Sequence, residues 1–232
     1  MTDWIGADSE KLTAAYAAQE ASPVAVIEAL FEHMAAQDDE LGAIRVLSRE
    51  AALESAAASE RRWRRHAPQS PLDGVPVMVR EDISLPSYAN EVEGVSPVVA
   101  RLLEAGCVVL GKTVMAAHDA VVAGRCIEGL LVRNPWQPAL TTGGSSAGAA
   151  VACAAGYAPL HVAIDRIGSL RMPAAFCGVF GFKPTQGRVP LAAPAMGRVA
   201  GPITRSVHDA AAMMNILARP DDRDFACLPP ES

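Results

Sequence analysis

The sequence predicts an α/β architecture, a β-sheet core flanked by helices, and three observations carry the prediction. Val75–Val79 (VPVMV) and Cys107–Gly111 (CVVLG) are short β-branched runs with a helical stretch between them, a strand–helix–strand order. A small-residue helix over Ala147–Ala155, followed by the apolar run Leu160–Ile164 (LHVAI), repeats the alternation. Half of the 232 residues are apolar, enough to bury one substantial core with a helical appendage.

Ser22-Pro23 opens a helix, the serine placed to cap orphan amides and the proline at the first helical position, where its missing N–H costs nothing. Val24, Ile27, Leu30 and Phe31 form its apolar face. A second helix follows Ser48, with Glu50 and Glu54 early and Arg61, Arg62, Arg64 and Arg65 late, an order that complements the helix dipole. Arg62-Trp63-Arg64 reads as a solvated helix end rather than a nucleic-acid patch, because the chain is acidic.

The turn-forming Pro71–Gly74 leads into VPVMV, which delivers Arg80-Glu81-Asp82 to its C-terminal end. Ser96-Pro97 starts the next helix and Gly106 ends it. Gly156 caps the helix over Ala147–Ala155, a turn spans Arg166–Ser169, a short helix starts near Pro173, and Val179–Phe182 (VFGF) has strand composition. Ser206 caps a last helix that Pro220 terminates, and the charged, proline-rich tail is expected to be loose. This divides the chain into an N-terminal helical segment packing on the core (1–70), an α/β core (71–220) and the tail (221–232).

A formal net charge of -6 opposes nonspecific binding to nucleic acid or anionic lipid. Five cysteines (Cys107, Cys126, Cys153, Cys177, Cys227) are odd in number and lack zinc-ligand spacing, which suits reduced thiols in a cytoplasmic protein. The N-terminus has no basic and apolar pattern of a secretory signal, and the most apolar run, Ala149–Ile164, is broken by Gly156 and Pro159. No metal, nucleotide or organic cofactor is implied.

Two glycine-flanked serine sites, Ser145-Ser146 and Ser169, are where chemistry is expected. The Gly143–Gly148 loop lacks the lysine of a P-loop and the spacing of a dinucleotide loop. It matches G-x-S-x-G, with Asp165 and His208 following in the order of an esterase triad around Ser146, but Pro135 and Pro138 argue against the strand such an elbow needs. Read from composition alone, the loop is equally a tight turn that permits close helix packing.

Gly74–Val79, Leu110–Thr113, Asn134-Pro135-Trp136, Gly143–Ser146, Asp165 with Gly168-Ser169, Arg171–Gly178, Phe182–Thr185 and Gly187–Val189 occur in order. Over Ser22 to Pro220 the chain therefore resembles the N-terminal portion of the amidase signature family. The resemblance implies a mixed sheet flanked by helices and hydrolysis of a C–N amide bond through a Ser-Ser-Lys triad and an acyl-serine intermediate. It places the nucleophile on Ser169 and the bridging serine, preceded by a cis peptide, on Ser145. Arg166, Ile167 and Gly168 supply oxyanion-hole amides, and Ser146, Asp165 and Arg171 stand as supporting groups.

The chain departs from the family's pattern in four ways. Arg80 stands where the family has its base lysine, and a guanidinium stays protonated and offers no acceptor. Ile167 replaces a glycine in the oxyanion turn, where a positive φ would strain a β-branched residue. Several residues usual in the family are missing between Asp82 and Val98. The chain also stops where relatives continue, so open sheet edges and apolar surface are expected to need a second copy or a complementing chain. The sequence favours an amidase-type site that has lost turnover or a non-catalytic partner subunit over an active amidase acting on a small-molecule amide. An esterase using Ser146, Asp165 and His208 is the distant alternative.

Overall fold

The computed structural model describes residues 4–85, 94–115, 131–192 and 194–229. The chain forms α1 (Ser9–Ala17), α2 (Pro23–Leu41), β1 (Ile44–Leu47), α3 (Arg49–Arg64), β2 (Pro76–Arg80), α4 (Pro97–Glu104) and β3 (Val108–Thr113). α5 (Ala147–Ala154), β4 (Leu160–Asp165), α6 (Arg171–Phe176), β5 (Phe180–Gly181), β6 (Val199–Thr204) and α7 (Val207–Leu217) complete it. The six strands make one mixed sheet in the order β1-β3-β2-β4-β6-β5. β3, β2 and β4 run parallel, and β1, β6 and β5 pair antiparallel to their neighbours.

Side chains alternate across a strand, so β2 and β4 each serve two cores. Met78 and Ala163 point to the layer built by α1, α2, α3 and α5, where Leu12, Ile27, Phe31, Ala56 and Val151 are buried. Val77, Val79, Val162 and Ile164 point to the opposite layer, with Val98 and Leu102 of α4 and Met213 and Leu217 of α7. Arg80 has the parity of Met78, which aims it at the start of α5. The expected starts at Ser22 and Ser206 carry real caps: Ser22 Oγ accepts from Ala25 N and Ser206 Oγ from Asp209 N.

Three elements were not anticipated. α1 is capped by Asp8, whose side chain accepts from Lys11 N. β1 pairs with β3, so the 1–70 stretch contributes a strand as well as helices. β6 contains Gly201 and Pro202 yet lies between β4 and β5. It tolerates the proline because Pro202 O accepts from Phe182 N, so the missing N–H faces the same side, just beyond the end of β5.

The tail expected to be loose is tied down over its described part. Asp224 is buried and accepts from Leu191 N, Leu228 N donates to Gly187 O, and Arg101 reaches Asp221. Cys107, Cys153, Cys177 and Cys227 are free thiols, whereas Cys126 and much of the stretch between Asp82 and Val98 lie outside the described residues. No helix among the described residues is long and apolar enough to cross a membrane, and no group of His, Cys, Asp or Glu there could hold a metal ion.

Candidate active site

The C-terminal ends of the adjacent parallel strands β2 and β4 and the N-terminus of α5 converge at one point. β2 ends in Arg80, which is completely buried. Its Nε and Nη2 donate to the two oxygens of Asp82 at 2.7 and 2.6 Å. Its Nη1 donates to Ser145 Oγ, Ser146 Oγ and the Ile164 carbonyl, each at 3.1 Å. A buried guanidinium is tolerated only when paired and hydrogen-bonded, and these contacts meet that need.

Asp82 also accepts from Arg198 Nη2 at 2.9 Å. Burial alone would raise the Asp82 carboxyl, but the Arg80 guanidinium and then Arg198 outweigh it and hold the group below its ordinary value. Asp82 is therefore a carboxylate shared by two cations.

Ser145 and Ser146 lie at the start of α5, a helix of small residues buried from Ala147 to Cys153. The Gly144–Ser145 peptide is cis. Ser146 N donates to the Ser169 carbonyl at 3.0 Å, which ties the two serine-bearing loops together. Ser169 is buried at the end of the turn that follows β4. Its Oγ donates to the Ile164 carbonyl at 2.9 Å and accepts from Arg166 N at 3.2 Å. The Ile164 carbonyl is thus a hub, taking Arg80, Ser169 and, at 3.2 Å, Ser146 Oγ.

Asp165, at the end of β4, organises the turn. Its carboxylate accepts from Gly168 N at 2.8 Å and Leu170 N at 3.3 Å, and Arg171 at the start of α6 chelates it through Nε and Nη2. Burial would raise this carboxyl, and the Arg171 hydrogen bond together with the two amides outweighs it and keeps it low. The left-handed residue of the turn is Gly168, at φ +102°. Among the described residues the non-glycine positive φ values belong to Gln19 and His66, so the strain anticipated at Ile167 is absent. Ile167 instead points outward, 62% exposed.

The structure brings Arg80, Ser145, Ser146, Asp165, Ser169 and the 166–168 turn together. Two of the three expected oxyanion amides are engaged within the fold, Arg166 N by Ser169 Oγ and Gly168 N by Asp165. His208 is not part of the site: it lies on α7 with a 67% exposed side chain, 3.9 Å from Glu10. With Asp165 held by Arg171 and no strand leading into Ser146, the esterase arrangement is not formed. Sequence reasoning missed the roles of Asp82 and Arg198. Asp82 sits two residues from Arg80, a detectable signal, whereas Arg198 is distant in sequence and carries none.

Against this geometry, the sequence model of the Amidase family matches residues 25–232. The chain is 37% identical over 236 residues to a glutamyl-tRNA(Gln) amidotransferase subunit of Chloroflexus aggregans, covering 93% of this chain and 47% of that one. The native peptide amidase of Stenotrophomonas maltophilia superposes with a TM-score of 0.91 at 31% identity, covering 99% of this chain and 52% of that structure. A bacterial aryl acylamidase of the amidase signature enzymes gives 0.90 at 28% identity, covering 100% and 51%. The chain spans about half the length of the curated relatives it matches.

Proposed function

Because the chain belongs to the amidase family, we propose that its site is of the acyl-serine type for C–N amide bonds, with Ser169 as nucleophile and Ser145 as bridge, and that Arg80 holds it without turnover. Acylation would form a bond from Ser169 Oγ to the amide carbon, break the C–N bond and release the amine. The Ser169 proton must be taken up as Oγ attacks and an amine nitrogen must be protonated as it leaves. A neutral lysine can shuttle that proton through the bridging serine.

The observation that carries the reading is the donor set of Arg80, spent on Asp82, Ser145, Ser146 and Ile164 O. A guanidinium has no lone pair to offer, so towards Arg80 the Ser145 hydroxyl acts only as an acceptor. A proton leaving Ser169 by way of Ser145 has no terminus, and general-base assistance is worth about 10²- to 10⁴-fold.

The test compares hydrolysis of a panel of aryl and alkyl amides by the wild type and by Ser169→Ala. Equal background rates are expected. Wild-type turnover tenfold or more above the variant, with an acyl adduct on Ser169 by peptide mass mapping, would refute the loss of turnover.

A second polypeptide chain is proposed as a partner because an apolar groove of about 320 Å³, lined by Phe180, Phe182, Val207 and Met214, lies along α7 beside the sheet-edge strand β5. The similar amidotransferase chain is itself named as a subunit. A cooperatively unfolding monomer whose Phe182→Glu variant is no more soluble would remove that case.

A further inference from the structure

Resting on the acyl-serine reading above, we propose that Asp82 is a charge-setting residue of this site: its carboxylate favours the protonated form of whatever basic side chain stands at position 80, so Asp82 would suppress the base even where a lysine replaced Arg80.

The carboxylate is placed by the backbone rather than by the reach of the arginine. β2 ends at Arg80, and Ile83 N closes a turn onto Arg80 O at 3.0 Å, which carries Asp82 back beside the strand end. Arg198 Nη2 then holds the same oxygen that Arg80 Nη2 takes. Replacing Arg80 alone leaves this second anchor in place, so the carboxylate stays at the site.

A lysine has the same number of bonds to its terminal nitrogen as arginine has to its guanidinium carbon. Its amine would therefore sit between the atoms that now touch Asp82 and those that touch Ser145. An opposite charge within ~4–6 Å favours the protonated amine by about 1 to 3 pKa units. The other charged groups of the region do not cancel this. Glu81 is turned away to Met115 N and Arg45, and Lys112 Nζ lies on the Glu81 carbonyl. Asp165 is taken by Arg171. Arg198, and burial at a position with 0% exposure, would push an amine towards neutrality. The carboxylate touches position 80 directly, two-pronged at 2.7 and 2.6 Å, and that contact is what sets it against Arg198 and burial. Removing the carboxylate reverses the balance, leaving burial and Arg198 to disfavour the charge.

The same geometry makes Arg80→Lys, the obvious repair, insufficient by itself. It restores the residue type and leaves the charge state unchanged. The repair that the structure calls for is Arg80→Lys with Asp82→Asn.

The chain contains three lysines, Lys11, Lys112 and Lys183, so ¹³Cε-lysine labelling of Arg80→Lys adds one assignable resonance. Titration by NMR is expected to place it above the ordinary lysine value of about 10.4 in the single variant and at least ~2 units lower in Arg80→Lys/Asp82→Asn. Two units correspond to ~100-fold more neutral amine, so fluorophosphonate labelling of Ser169 near neutral pH should accelerate about 100-fold in the double variant over the single.

Identical titrations in the two variants, or a single-variant resonance titrating below about 10.4, would overturn the role of Asp82. The expected titrations without Ser169 labelling in either protein would support Asp82 and sink the acyl-serine reading instead. Should the double variant not fold by circular dichroism, the single variant decides alone: titration above the ordinary value supports the proposal and titration below it refutes it.

Discussion

Gly148→Ala sets two known effects against each other. Gly148 lies in the second position of α5, the helix whose start carries Ser145 and Ser146. In a free helix the substitution gains ~1 kcal/mol, because alanine is the better helix former. Here an added Cβ would lie 2.6 Å from Ala43 O, 2.6 Å from Val114 O and 2.7 Å from Val114 N. All three are backbone atoms that cannot rotate away. α5 is itself buried from Ala147 to Cys153, so relief requires the helix to withdraw or the β1 and β3 ends to part. Either movement weakens the bonds from Gly148 N to Val114 O at 3.2 Å and from Val114 N to Ala43 O at 2.9 Å.

Overpacking of this kind costs about 1–3 kcal/mol and each lost hydrogen bond ~1 kcal/mol, so the net is a destabilisation of about 2–4 kcal/mol after the propensity gain. Urea unfolding followed by tryptophan fluorescence measures it, and thermal melts should fall by roughly 2–4 °C per kcal/mol for a chain of this size. The displaced helix start should also loosen Ser146 N from Ser169 O, visible as faster amide exchange there. An alanine variant with an unchanged or raised urea midpoint would show that propensity outweighs the close approach, and the account of how α5 is seated would be wrong.

Two further predictions follow from the charges and thiols. The Asp82 and Asp165 carboxyls are held below their ordinary value of 3.8, so the stability they contribute is fully present above that pH and is lost as pH falls through their lower folded values. Asp165→Asn should lower the urea midpoint at pH 7 and flatten its decline below about pH 4; an unchanged acid limb would contradict the assignment. Burial pushes the Cys107, Cys153 and Cys177 thiols up to about 12, so iodoacetamide at pH 8 should spare them in the native state, while the half-buried Cys227 reacts. Rapid native alkylation of Cys153 would mean that α5 opens.

What the sequence revealed follows the strength of its local signals. β2, β3 and β4 were legible because they are apolar runs bounded by turn residues, buried from both faces by the two helical layers. α2 and α7 were legible from capping serines that do accept amide protons. β6 was not legible, since Ala200-Gly201-Pro202 has the composition of a loop and becomes a strand only because β4 offers a partner and β5 stops short. At the site, Arg80, Ser145, Ser146 and Ser169 could be named because the ordered motifs around them resemble the amidase signature family. Their common partner could not, because the Ile164 carbonyl is a backbone atom and any residue there would supply it.

The retained serines have a reason to be present that is independent of turnover. A completely buried guanidinium is costly unless each face of it is satisfied, and breaking such a pair costs about 3–5 kcal/mol. Ser145, Ser146 and the Ile164 carbonyl are the three acceptors around Arg80 Nη1, and Ser169 Oγ donates to that same carbonyl. The hydroxyls that a Ser-Ser-Lys relay would use are therefore part of the network that holds β2, β4 and α5 together. Replacing Ser146 by alanine removes one of the three acceptors shared by the two Nη1 hydrogens and the Ser146 Oγ bond to Ile164 O, and should cost ~1 kcal/mol in stability, whatever happens to activity. Ser145 and Ser146 thus have a structural role around the buried Arg80 cation that does not depend on turnover.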